Sequence, residues 1–310
     1  MTNEKTYFRP RSIEEAVQLA AENSSDFRFL AGGTDVLVNR FQGTETSPCL
    51  IDLTGIAEMK QVRRTTHSLN IGALVCLDDL KKYPEIGMEF PVLLEAAQAV
   101  GSPVVRRTAT LGGNLLCENR CAFFNQSEWW REAVGFCLKC NGDVCIATGG
   151  SQNCFSKFAS DTAVALIGLD AAISVLENGG ERSLPLESIY TGDGITPRTL
   201  DKATLICSVE IPLGRGFRAV FKKLRRRESL EFSSLTSVVT VDNRGQIKIV
   251  LGGVDPKPVV VAGTTADDRN ALVKKASKKA RIVNNDAYSR LYRKEMIGVF
   301  LNRSFEELGL

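Results

Sequence analysis

Six of the nine cysteines lie between positions 117 and 154: Cys117, Cys121, Cys137, Cys140, Cys145 and Cys154. That run contains no histidine. Thiols clustered in a chain without an export signal predict a soft-metal site, because disulfides are rare where thiols stay reduced. Thiolates without imidazole suit zinc or an iron–sulfur cluster better than copper, nickel or a hard cation. Cys117-x-x-x-Cys121 paired with Cys137-x-x-Cys140 would make a structural zinc knuckle. The same thiols suit an iron–sulfur cluster, and spacing alone does not choose. The only histidine, His67, sits in the polar stretch RRTTHSLN between two β-like runs, where it decorates a turn. Histidine-based acid–base or triad catalysis is therefore not expected. Electron transfer needs no such group, since there the cofactor carries the chemistry.

Two glycine pairs, Gly32–Gly33 and Gly112–Gly113, each follow an apolar residue and precede a polar one within two positions. Turns of this kind can aim consecutive backbone N–H groups into one concavity and bind an anion, usually phosphate. Two of them suggest a pyrophosphate gripped from both sides. Neither fits G-x-G-x-x-G or the P-loop, so a nicotinamide fold of the Rossmann type is not expected.

Elements must hold these groups, and 310 residues suffice for two or three domains with cores of their own. Ser12 and Glu15 form a capping box before the helical IEEAVQLAAE, with Ile13, Ala16, Val17, Leu19 and Ala20 on one face. FRFLA, the first glycine turn and DVLVNRF read as strand, turn and helix, and CLIDLTGI closes a small α/β unit near Gly55. A second unit runs from the alternating SLNIGALVCL through a helix around FPVLLEAAQAV to the loop ATLGGN and the cysteines. SDTAVALIGLDAAISVLENGG follows as helix, strand and Gly–Gly turn, and ATLICSVEIPL and FRAVFKKLRR have β character. From about Phe217 the pattern becomes a hairpin turning at Asn243–Arg244–Gly245, with Lys/Ala/Arg-rich helices to finish. The expected organisation is α+β, with a first domain over 1–216 and a smaller one over 217–310. Within the first, subdomains cover about 1–56 and 57–216, with a cysteine-rich insertion at about 115–158. The net charge is only +3, and basic residues do not interleave with aromatics, so nucleic acid is disfavoured. No apolar run approaches the roughly 20 residues that span a bilayer, and a cytoplasmic location is expected.

The ordered motifs LAGGTDVL (30–37), VVRRTATLGGN (104–114), ASDTAVALIGLDA (159–171), FKKLRRRESLEF (221–232) and LGGVDPKPV (251–259) carry a resemblance. Together they resemble the FAD-binding subunit of the xanthine dehydrogenase family of molybdenum hydroxylases, over nearly the whole chain. The resemblance implies a two-subdomain FAD-binding domain of the PCMH (vanillyl-alcohol-oxidase-like) type and a smaller C-terminal α+β flavoprotein domain. It implies that Leu30, Ala31, Gly32, Gly33, Thr34, Asp35, Val36 and Leu37 wrap the FAD pyrophosphate, and that Thr110, Leu111, Gly112, Gly113 and Asn114 close on it. Asp161 would hydrogen-bond ribityl or ribose hydroxyls, with Lys223 and Arg227 lining the pocket.

Most members of that family lack the cysteine-bearing insertion, which is similar to that of the 4-hydroxybenzoyl-CoA reductase branch. By that likeness Cys121, Cys137, Cys145 and Cys154 hold a 4Fe–4S cluster, and Cys117 and Cys140 are extra. Phe123–Phe124 and Trp129–Trp130 have two readings, a shield that lowers solvent access to the cluster or ordinary packing of a loop short of core residues. The implied complex is a heterotrimer, able to dimerise, with a molybdopterin-containing large subunit and a 2Fe–2S small subunit. Ferredoxin would feed electrons through 4Fe–4S and FAD to those subunits for reductive dehydroxylation of an aromatic CoA thioester. The alternative is an ordinary FAD subunit of a xanthine-, aldehyde- or CO-dehydrogenase-type enzyme. It would pass electrons to NAD or another acceptor, with zinc or no metal in the insertion.

Overall fold

Hydrophobic alternation and helix caps divide the chain among three sheets. The computed structural model describes residues 5–24, 26–177 and 179–310, so the polar residues 1–4 and Asn178 of the LENGG turn lie outside the described residues. The first sheet holds β1 (Thr6–Phe8), β2 (Phe27–Leu30) and β3 (Cys49–Asp52), ordered β1-β3-β2 and parallel throughout. Parallel neighbours need crossovers, and α1 (Ile13–Glu22) and α2 (Val36–Phe41) lie on them. Ser12 caps α1 as expected, accepting from Glu15 N–H at 3.1 Å. The Glu15 carboxylate, however, accepts from Arg11 N–H (2.7 Å), one residue before the position a capping box uses. Strand β1 went unforeseen, being three residues long and too short for a period to register.

The second sheet is antiparallel, in the order β4-β5-β8-β6-β7. Its strands are β4 (Val62–Arg64), β5 (Ser68–Gly72), β6 (Ala172–Glu177), β7 (Gly180–Pro185) and β8 (Leu205–Pro212). Between β5 and β6 come α3 (Pro84–Glu89), α4 (Pro91–Gln98), α5 (Pro103–Arg106), α6 (Leu111–Leu115), α7 (Glu128–Val134) and α8 (Asp161–Gly168). Proline opens α3, α4 and α5, where its missing N–H costs nothing. His67 lies exposed on the β4–β5 turn, as its sequence context suggests.

The third sheet is the antiparallel meander β9 (Arg218–Leu224), β10 (Leu235–Val241), β11 (Gln246–Gly252) and β12 (Val259–Thr264), followed by α9 (Arg269–Lys279) and α10 (Arg290–Leu308). Its central strands are buried on both sides. Val238 and Val250 join the core shared with the second sheet, while Val239, Val241, Ile247 and Ile249 join the core under α9 and α10. Period-two alternation thus serves two cores at once. The layer over the first face is α8, all eight of whose residues are buried. Gly168 permits this approach, since a Cβ there would meet Val238 and Thr240 methyls at 3.0 Å.

Candidate functional site

Four of the six clustered cysteines converge. Cys121, Cys137, Cys145 and Cys154 line one cavity together with Phe123, Phe124, Leu138, Lys139, Ile146, Ala147 and Ser156. Cys117 and Cys140 do not line it. The zinc-knuckle pairing of Cys117–Cys121 with Cys137–Cys140 is therefore not assembled. Among the described residues no three His, Cys, Asp or Glu side chains are gathered for one metal ion. The aromatic shield is half as expected: Phe123 and Phe124 line the cavity, whereas neither tryptophan does and Trp129 is 75% exposed. The short α7 is instead anchored by buried Arg131, which donates to the Gln126 carbonyl (2.5 Å) and the Gln42 carbonyl (2.7 Å).

The thiols are not equivalent. Burial pushes Cys121 up to about 11 and raises Cys154, as expected for thiols in apolar surroundings. The Cys140 thiol donates to the Cys137 sulfur and, with the N–H groups of Lys139 and Cys140, brings Cys137 down to about 6. Ser156 N–H approaches the Cys154 sulfur at 3.5 Å. Cys117 is half-buried elsewhere, its thiol pushed up to about 12 by desolvation.

The neck of the insertion is tightly held. Arg120 and Lys157 exchange backbone hydrogen bonds at 2.9 and 2.7 Å. Asn119 donates to the Ser156 and Pro256 carbonyls at 3.0 and 2.9 Å. The Lys157 ammonium pairs with Asp286 in the C-terminal segment. Lys139, inside the cavity wall, donates to Glu118 at 2.8 Å and to the Gly194 carbonyl. The sequence reading missed Glu118, Arg120 and Lys139. The only signal was charge placed next to cysteine in a segment otherwise poor in it.

The two glycine turns abut, but they are unlike. A Cβ at Gly32 would overlap the Thr108 carbonyl oxygen, and one at Gly113 would lie 3.9 Å from the Ala31 Cβ. Gly33 has φ +72°, a conformation that favours glycine. Among the described residues the N–H groups of Gly32, Gly33 and Thr34 have no protein acceptor, which leaves them free for an anion. The 110–114 segment is a capped helical turn rather than the open loop the sequence suggests. Leu111 and Gly112 N–H donate to the Val75 and Ala73 carbonyls (2.9 and 2.8 Å), and Gly113 N–H to Thr110 Oγ1 (3.1 Å). It backs the first loop with its own donors already committed. Asn114 accepts from Ser160 and Thr162 hydroxyls at 2.8 and 2.6 Å and so holds the start of α8.

Other expected flavin contacts are engaged inside the protein. Asp35 accepts from Glu118 N–H at 2.9 Å and pairs with Arg120. Asp161 is buried, accepting from Lys223 Nζ at 2.6 Å, from Thr236 Oγ1 at 2.7 Å and from Ser233. Lys223 also donates to the Ala99 carbonyl at 2.8 Å. Arg227 points along an exposed turn and donates to the Leu230 carbonyl at 3.0 Å. Leu37 is 51% exposed beside the glycine turn, while Leu30 is buried beneath it.

Comparison with known proteins adds to this geometry. Residues 2–214 match the family described as the FAD binding domain in molybdopterin dehydrogenase. The aldehyde oxidoreductase FAD-binding subunit PaoB of Escherichia coli is 32% identical over 262 residues, 82% of each chain. The glyceraldehyde dehydrogenase medium chain of Sulfolobus acidocaldarius is 23% identical across 99% of each chain. A solved carbon monoxide dehydrogenase chain from Hydrogenophaga pseudoflava superposes with a TM-score of 0.73 at 21% identity, covering 98% of this chain and 96% of that one. The expected α+β fold is the one observed. Among the described residues no helix is long and apolar enough to cross a membrane.

Proposed function

The chain belongs to the FAD-binding subunits of the molybdenum hydroxylase family, and on that premise we propose that it holds a 4Fe–4S cluster beside its flavin and works as an electron-transfer subunit. The observation carrying this reading is the convergence of Cys121, Cys137, Cys145 and Cys154 on one cavity that excludes Cys117 and Cys140. Four thiolates are the protein's share of such a cluster. When bound, FAD and the cluster supply electron storage and transfer. The chain's own residues do the holding. Gly32, Gly33 and Thr34 offer N–H groups to the pyrophosphate, with Ala31, Val36 and Leu37 around them. Thr110 to Asn114 brace that loop from behind, and the Asp161–Lys223 pair fixes the wall between the second and third sheets. Phe123, Phe124, Leu138 and Ile146 keep water from the cysteines, and Ser156 N–H adds a hydrogen bond to sulfur. Solvent access and such hydrogen bonds are two levers on cluster potential. We take 1–216 and 217–310 as the two domains.

In the complex, this subunit would work with a molybdopterin-containing large subunit and a 2Fe–2S small subunit. The finer reading is a 4-hydroxybenzoyl-CoA reductase-type complex fed by ferredoxin, supported by the residue-by-residue likeness of the insertion. A second reading is an aldehyde- or CO-dehydrogenase-type FAD subunit that delivers electrons to NAD or another acceptor. The 32% identity with PaoB favours it.

Metal analysis of anaerobically purified protein tests the cluster. Iron and acid-labile sulfide should each approach about four per chain. Serine at Cys121, Cys137, Cys145 or Cys154 should abolish both, and serine at Cys117 or Cys140 should not. Zinc without sulfide would overturn the assignment. Reduction of the assembled complex by ferredoxin or viologen, with little by NADH, supports the reductase reading; rapid reduction by NADH supports the dehydrogenase.

A further inference from the structure

The cysteine cavity and the flavin loop are joined by side chains that belong to neither motif. Asp35 ends the glycine loop, and its carboxylate has two partners from the base of the insertion: Glu118 N–H at 2.9 Å and the Arg120 guanidinium. The Glu118 carboxylate in turn accepts from Lys139 at 2.8 Å. Lys139 forms part of the cavity wall two residues after Cys137 and reaches the Gly194 carbonyl, while Gly194 N–H donates to the Cys154 carbonyl at 2.9 Å. Arg120 immediately precedes Cys121. The Arg120 and Lys139 side chains are 8% and 6% exposed. These four charges form two ion pairs with little water to replace a lost partner.

The connectivity has a direction. Arg120 carries the segment of Cys121, and Lys139, through Glu118, carries that of Cys137. Both lead to the Asp35 carboxylate, which closes the loop whose Gly32, Gly33 and Thr34 N–H groups have no acceptor among the described residues. A ligand bridging Cys121 and Cys137 would fix both segments and so hold Asp35 from two sides, and its loss would leave Asp35 with Asn39 Nδ2 at 3.3 Å as its remaining side-chain partner once those segments move. We propose that Asp35 is a positioning residue that clasps the flavin loop to the cysteine cavity through Arg120 and Glu118, so that cluster occupancy and FAD affinity strengthen each other. This rests on the cluster reading above. Thermodynamic linkage makes the effect reciprocal: each ligand alters the other's affinity by the same factor.

The test measures FAD dissociation constants of the full chain with the cluster present and after its removal, once by chelation and once by Cys137→Ser. Iron and sulfide are counted in every sample. Removing the cluster from the otherwise native chain should weaken FAD about tenfold, within the usual range for coupled sites. In Asp35→Asn the two constants should agree within about twofold. The double variant Asp35→Asn/Arg120→Gln replaces the ion pair by two amides, guards against misfolding, and should show the same uncoupling with native circular dichroism. A purely structural role would weaken FAD without changing that ratio. Unchanged FAD affinity in a native chain that has lost its iron, or tenfold dependence surviving in Asp35→Asn, overturns the clasp. A native chain holding neither iron nor sulfide overturns the cluster reading and the clasp with it, and metal analysis alone reveals that case.

Discussion

Replacing Asp161 with alanine separates two roles for one carboxylate. The Asp161 and Lys223 side chains are 4% and 5% exposed, with Nζ and Oδ2 2.6 Å apart. Truncation leaves the Lys223 ammonium buried with the Ala99 carbonyl alone, and it removes the acceptor of Thr236 and Ser233. Breaking a buried pair from one side costs about 3–5 kcal/mol. We count the ion pair alone, so the two buried hydroxyls left without Asp161 can only add to the loss. Because the pair ties α8 to β9 and β10, the loss should appear in the main unfolding transition. At roughly 2 °C per kcal/mol for a chain this size, Tm should fall by about 6–10 °C. Asp161→Ala/Lys223→Met should be less harmful than the sum of its single changes by more than about 1 kcal/mol, as expected of side chains in contact. The assay is thermal and urea unfolding of the flavin-free chain, followed by circular dichroism, alongside flavin content of the purified protein. A stability loss below about 1 kcal/mol, together with a sharp fall in FAD content, would refute this reasoning. Asp161 would then act directly on cofactor hydroxyls, as the motif resemblance implies.

Two further perturbations read other parts of the molecule. Gly33→Val puts a branched side chain at φ +72° with its Cβ 2.9 Å from Leu37, and Gly113→Val sets a Cβ 2.8 Å from the capping Thr110 hydroxyl. At Gly33 the left-handed backbone adds a cost of roughly 1–2 kcal/mol for a non-glycine residue, while at Gly113 the cost is crowding alone, so both chains should fold yet purify with little FAD. Full flavin in both would make these ordinary turns. In Asp286, burial works against ionisation, but the Lys157 ammonium and the Ser234 hydroxyl outweigh it and hold the carboxyl below its ordinary value. A depressed folded-state value means stability that is fully present above about pH 4 and lost as pH falls through the folded value. Protease cleavage within 122–153 should therefore accelerate below about pH 4 before the rest of the chain unfolds. Asp286→Asn should bring that cleavage to neutral pH, and an unchanged rate there would count against the neck as the weak point.

What the sequence made legible is local. Hydrophobic period located α1, α2, α4, α8 and strands β9, β10 and β11 of the meander, while β12 went unread and the second glycine pair proved to lie in a helical turn. Thiol identity marked the insertion, although geometry alone brought four of the six cysteines to one cavity. Charge pairing across distance was not legible. In FKKLRRR, Lys222 and Lys223 look like one solvated basic run, yet strand β9 sends them to opposite faces. Lys223 reaches Asp161, and Lys222 reaches Glu307 on α10 at 2.6 Å. Period-two reading of β9 places Lys223 with Phe221 and Ala219, which do pack on the first core. That was the available signal. The partners of the Asp35 carboxylate were hidden for a related reason: Glu118 and Arg120 lie more than eighty residues away.

The two-faced meander decides how this chain can be cut. A piece beginning near residue 217 would carry Val238 and Val250 on a bare face, and a piece ending there would leave α8 uncovered along the side that meets β10 and β11. Neither fragment is a portable module. Exchange of the C-terminal part between related chains must therefore carry α8 with it, or match the methyl groups of Val164, Val238 and Thr240 that interlock around Gly168 and Gly252.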